Sequence, residues 1–122
     1  MVTLFAIVTC AQKKIDPDAS AKQASINVLK TTPTDGIILD VRTPEEFKNG
    51  HVPQAKNLNF YADNRADLIA ELDPSKKYYV YCGGGVRSGK MVAEMNELGI
   101  TNTVDLHDGF NNWQGDIQLD IQ

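Results

Sequence analysis

Cys82 closes an aromatic and β-branched run, residues 77–82 (KYYVYC), and is followed by Gly83, Gly84, Gly85, Val86, Arg87 and Ser88. A single nucleophile at the end of a strand, with a glycine run leading into a helix, suits the holding of a charged sulfur. The three glycines lack side chains and can take φ > 0, so the loop can curl round the sulfur with its N–H groups turned inward. Those amides, the positive end of a helix starting near Ser88 and the guanidinium of Arg87 all favour a thiolate, the nucleophilic form of Cys82. A thiolate here can attack the outer sulfur of thiosulfate or of another persulfide, and the resulting persulfide carries its charge where the amides stabilise it. A thiol or cyanide then takes the outer sulfur and regenerates Cys82. Such chemistry calls for no metal and no organic cofactor.

Each of these residues also has a purely structural reading. A buried cysteine at a strand end is commonly a small hydrophobe, but a glycine run beside it argues for the site. Arg87 at a helix N-terminus opposes the helix dipole and needs a compensating anion, which favours a role in the site over a plain surface position. Asp40 and Arg42 flank a strand and are expected to form structural charge pairs that support the site. His51, between Gly50 and Val52-Pro53, is expected to pack or to hydrogen-bond. Tyr78, Tyr79, Tyr81, Phe110 and Trp113 read as core or pocket wall, and His107 with Asp108 as a solvated loop pair.

The elements that must position the loop are legible in pattern. Residues 37–41 (IILDV) follow an Asp-Gly turn and form a short continuous β-branched run, the mark of a strand buried on both faces. Thr43-Pro44-Glu45-Glu46 is a capping box with proline at the first helical position, and Gly50 ends that helix after little more than one turn. Residues 56–60 read as a strand, and 64–72 as a helix presenting Leu68, Ile69 and Leu72 on one face. After the strand at 77–82, residues 88–98 place Met91, Val92, Met95 and Leu98 at helical spacing, with Gly99 as cap. A last strand at 102–106 and a helical turn at 110–113 complete the series, and 20–31 carries a helical pattern at the front. Strands alternating with helices predict an α/β domain on a mostly parallel sheet.

At 122 residues, with 42% hydrophobic and 23% charged residues, the chain has the size and composition of one globular domain rather than of a disordered segment. Its formal net charge of −4 and the absence of any basic cluster longer than a pair argue against a nucleic-acid partner. Residues 1–14 are set apart as a leader and linker, and residues 15–122 as the domain. The apolar run of residues 1–9 ending at Cys10 is too short to span a bilayer. It resembles the end of a bacterial lipoprotein signal, with Cys10 as the lipidated residue and a cell-envelope location. The alternative is an edge strand or disordered leader on a cytoplasmic protein. No disulfide between Cys10 and Cys82 is expected in a domain with a core of this size.

The segment from Tyr81 to Ser88 resembles the active-site loop of the rhodanese-like sulfurtransferases, in which a Cys, four residues, an Arg and a Ser or Thr lie between a strand and a helix. Residues 39–47 (LDVRTPEEF) with 50–55 (GHVPQA) are similar to that family's N-terminal signature, and residues 104–113 to its C-terminal one. The resemblance covers nearly all of residues 37–115. It implies a three-layer domain on a five-stranded sheet with the first and third strands at its edges. It also implies Cys82 as the persulfide-forming nucleophile, residues 83–88 as the amides around it, and Arg87 closing the loop on an anionic donor. Two features depart from the pattern: Asp108-Gly109 stands where the family carries a glycine pair, and Arg87 is the loop's only cation. The partners implied are a small sulfur donor and a thiol, cyanide or protein acceptor. A non-enzymatic sulfur carrier or persulfide sensor is the alternative. A Cys-dependent phosphatase or arsenate reductase is the rival enzyme class, but the cell-cycle dual-specificity phosphatases that share this fold carry five residues between Cys and Arg, one more than here, and that larger ring fits a tetrahedral oxyanion.

Overall fold

The computed structural model describes residues 22–31 and 35–120. Cys10, the leader and linker of residues 1–14 and the proposed domain start at residue 15 lie outside the described residues. Five strands form one sheet, all neighbours parallel, in the order β1-β5-β4-β2-β3: β1 (Gln23–Ala24), β2 (Ile37–Asp40), β3 (Lys56–Asn57), β4 (Tyr78–Tyr81) and β5 (Thr103–Leu106). The first and third strands are therefore the edges, as the resemblance implies. Three α-helices connect them: α1 (Pro44–Lys48), α2 (Arg65–Ala70) and α3 (Val86–Glu97), with 3-10 turns at Ile26–Lys30 and Phe110–Asn112.

Side chains alternate across the central strands, and both faces are covered. Leu39 and Val41 from the β2 segment, with Tyr78, Val80 and Cys82 from the β4 segment, pack on one face beneath Ile69 of α2 and Met91, Val92 and Met95 of α3. Ile38, Tyr79, Tyr81, Val104 and Leu106 build the other, with Ile26 from the first 3-10 turn and Phe47, Phe110 and Trp113 packed against it. Period-two alternation with apolar residues on both sides is what a strand interior to a parallel sheet requires.

Three segments differ from their sequence patterns. Residues 20–31 do not form an α-helix over the part described: β1 is followed by the 3-10 turn. Ser25, a cap former in mid-segment, starts the turn by accepting from the Asn27 amide, and Asp108 takes the Ile26 amide. Within residues 56–60 only Lys56–Asn57 is strand, because β2 ends at Asp40; the Leu58 and Phe60 amides still reach the carbonyls of Asp40 and Val41 at 2.9 and 3.1 Å. α3 starts at Val86, two residues before Ser88, because Gly85 turns the chain with φ 105° at the N-cap. That shift bears directly on the sulfur.

Candidate functional site

Cys82 is the first residue past β4 and is 1% exposed, on the sheet face covered by α3. Burial alone matches the inert-thiol reading; the surrounding amides do not. Gly85 and Ser88 donate their backbone N–H groups to Sγ at 3.0 and 3.3 Å. With Gly85 as N-cap, Ser88 is the third residue of α3, so its amide has no carbonyl within the helix to bind and is free for the sulfur. The earlier helix start thus brings the positive end of the dipole onto Cys82 rather than about half a turn beyond it. The loop tip is open to solvent at Gly84 and at Val86, which is 70% exposed.

The loop is held in shape by the turn after β5. Phe110 and Asn111 donate their amides to the carbonyls of Cys82 and Gly83 at 2.8 and 3.0 Å. Two glycines make that approach feasible. A Cβ on Gly85 would strike the His107 carbonyl oxygen, and one on Gly109 (φ 73°) would strike that of Gly83. With the carbonyls of 82 and 83 tied outward to this turn, the following amides are left to face the sulfur.

Arg87 is partnered. Its Nη1 and Nη2 donate to Oε1 and Oε2 of Glu46 at 2.8 and 3.3 Å, and its Cζ lies 5.8 Å from the centre of the Tyr61 ring. Glu46 is the compensating anion that an arginine at a helix start requires. Its carboxyl also completes the capping box of α1, accepting from the Thr43 amide and hydroxyl at 3.0 and 3.1 Å. The hydrogen bonds from Arg87, aided by those from Thr43, outweigh partial burial and hold Glu46 at about 2; reciprocally, the Arg87 pKa is raised. On the inner side, Ser88 Oγ lies 2.8 Å from Oδ1 of the buried Asp105 and 3.2 Å from the Gly85 carbonyl. Burial pushes the Asp105 carboxyl up.

Asp40 and Arg42 form a buried pair away from the sulfur. Arg42 Nη2 lies 2.7 Å from Asp40 Oδ2 and 2.8 Å from the Gly50 carbonyl oxygen, and its guanidinium sits 4.3 Å over the Phe110 ring. Burial opposes the charge on Arg42, and Asp40 overcomes it, so the Arg42 pKa is raised. His51 donates from Nδ1 to the Phe47 carbonyl at 2.7 Å and stacks on the Phe47 ring, the packing role expected of it. Tyr81, fully buried, accepts the Val52 amide through its hydroxyl at 3.1 Å. Asp108 is not a solvated partner of His107: its oxygens take the Ser25 hydroxyl and the Ile26 amide, both at 2.7 Å, while His107 is exposed.

Glu46, Asp105 and Tyr61 are the site neighbours that the sequence did not single out. For Glu46 the signal was present, since a carboxylate in a capping box keeps a second oxygen to offer. Asp105 stands inside an apolar strand, where a carboxylate requires a buried donor. Tyr61 carried no signal.

The family model described as Rhodanese-like domain matches residues 20–116. The chain is 33% identical over 81 residues to "Uncharacterized protein YqhL" of Bacillus subtilis, covering 66% of this chain and 63% of that one, so it spans less than two thirds of that relative. It is 32% identical over 97 residues to "Thiosulfate sulfurtransferase GlpE" of Shewanella oneidensis, covering 78% of this chain and 94% of that protein. Among solved structures, the crystal structure of a rhodanese-like domain protein from Staphylococcus aureus superposes with a TM-score of 0.67 at 30% identity, covering 80% of this chain and 97% of that one.

Proposed function

Because the chain belongs to the rhodanese-like domain family, we propose that it is a sulfurtransferase in which Cys82 accepts a sulfane sulfur as a persulfide and passes it to a thiol or cyanide. The observation that carries this reading is the pair of amides, Gly85 and Ser88, donating to a sulfur that is otherwise shut in. Two directed N–H groups at the start of a twelve-residue helix stabilise negative charge at that point, on the thiolate before transfer and on the persulfide after it.

With thiosulfate as donor, the Cys82 thiolate attacks the outer sulfur; a new S–S bond forms, the old one breaks, and sulfite leaves with the bonding pair. The acceptor then attacks the outer sulfur of the persulfide and the Cys82 thiolate is the leaving group. Residues 83–88 are the binding loop, with Val86 and Gly84 at its open tip. Asp40 and Arg42 support the loop's surroundings and take no part in the chemistry. Four residues between Cys82 and Arg87 make a ring of sulfur size, which argues against a phosphatase.

Treatment with thiosulfate or a polysulfide, followed by intact-mass measurement, should add one sulfur to the protein and none to Cys82→Ser. A parent protein of unchanged mass with every donor would sink the proposal. Thiocyanate production from cyanide then separates a turnover enzyme from a stoichiometric sulfur carrier.

A further inference from the structure

Arg87 is the only cationic side chain in residues 82–88. Both of its terminal nitrogens donate to Glu46, and both side chains are partly exposed, 40% for Glu46 and 19% for Arg87, so a solvent-borne anion meets the two charges together. Glu46 is not a loose surface side chain: the Thr43 amide and hydroxyl fix Oε1 at the start of α1. The guanidinium lies beside the loop, since a Cβ placed on Gly83 would sit 3.3 Å from Nη2. A donor approaching Cys82 therefore meets a neutralised pair where a free cation would otherwise attract it. The loss of attraction scales with the donor's own charge and is twice as large for a dianion as for a monoanion.

We infer that Glu46 is a specificity-determining residue, which by holding and neutralising Arg87 turns the site away from dianionic donors and towards singly charged sulfane-sulfur donors such as organic persulfides. This rests on the sulfurtransferase reading and names the donor class for the same site. The transfer is balanced for either class. An organic persulfide anion gives up its outer sulfur to the Cys82 thiolate and leaves as a thiolate, and an organic thiosulfonate leaves as a sulfinate. No oxidant or reductant is consumed.

The test compares two donors of like chemistry and different charge, thiosulfate (dianion) and methanethiosulfonate (monoanion), by kcat/KM at low ionic strength. Glu46→Gln removes the charge and keeps an acceptor for the Thr43 amide, as the capping box accepts either residue. It is expected to raise the thiosulfate-to-thiosulfonate ratio about fivefold, through a lower KM for thiosulfate, the size of effect that one unit charge exerts near a protein surface. Glu46→Asp, which keeps the charge, should stay near the parent ratio. Glu46→Ala, which removes charge and cap together, should raise the ratio as Gln does. Equal changes for both donors in the Gln and Ala variants would make Glu46 a structural residue and overturn the inference, with sulfur transfer itself intact. Failure of the parent protein to take sulfur from either donor would instead overturn the sulfurtransferase reading, and the inference with it.

Discussion

Gly109 packs its Cα against the carbonyl oxygen of Gly83 so closely that there is no room for a Cβ between them. This contact joins the turn after β5 to the loop after Cys82, and the Phe110 and Asn111 amides tighten it through the carbonyls of Cys82 and Gly83. Gly109→Ala combines a positive φ of 73° with a backbone collision. It should destabilise the protein by about 2–4 kcal/mol in denaturant titration and abolish sulfur loading at Cys82. Parent-like stability would mean that the two turns can part without cost.

The buried pair of Asp40 and Arg42 allows a second prediction. Asp40 is 0% exposed and Arg42 6%. Asp40→Asn leaves the guanidinium with the Gly50 carbonyl and the Phe110 ring but no neutralising charge. A loss of about 3–5 kcal/mol is expected, since breaking one side of a buried pair strands the other. Arg42→Lys should cost almost as much, because an ammonium cannot reproduce the side-on contact through Nε and Nη2. Denaturation midpoints of both variants within the error of the parent would show that the pair contributes nothing.

Asp108 holds the edge strand. Its oxygens accept from Ser25 and Ile26, more than 80 residues away in sequence. Replacing it with Ala removes both acceptors, and about 1–2 kcal/mol of stability should go with them, the range for a lost cap. Hydrogen exchange is the sharper readout: amides of residues 23–30 should lose protection while those of β4 keep it. Uniform loss across the sheet would argue against a local clasp.

Much of this was legible in the residues, and for identifiable reasons. β4, α1 with its capping box, and the face of α3 follow from local pattern, because their apolar spacing and caps are decided within a few residues. The loop was legible through composition, as three glycines beside a cysteine allow the positive φ and close backbone approach that a tight turn round the sulfur needs. What was not legible depends on partners distant in sequence. The front segment reads as helix until Asp108 takes the Ile26 amide. Asp108 itself looks like a loop residue for the same reason. The Glu46–Arg87 pair spans 41 residues: the capping box shows a carboxylate with an oxygen to offer, but nothing local names the arginine beside the sulfur as its taker.

The same pair gives stability a pH dependence of definite sign. Glu46 is held at about 2 in the folded protein, from an ordinary 4.5, chiefly by the hydrogen bonds from Arg87. A depressed carboxylate stabilises the fold above its unfolded value, and that contribution is lost as pH falls from about 4.5 towards 2, because there the unfolded chain binds the proton and the folded one does not. Asp35, Asp73 and Asp108 are lowered as well, so the parent slope alone does not isolate Glu46. Comparison with Glu46→Gln does. The difference in unfolding free energy between parent and variant should shrink steadily from pH 5 to pH 2.5, with a slope somewhat below one proton because Glu46 is partly exposed and screened. Raising the salt concentration should flatten it further. Parallel curves for the two proteins across that window would mean that Arg87 leaves Glu46 unperturbed, and that the loop's cation is free in solution.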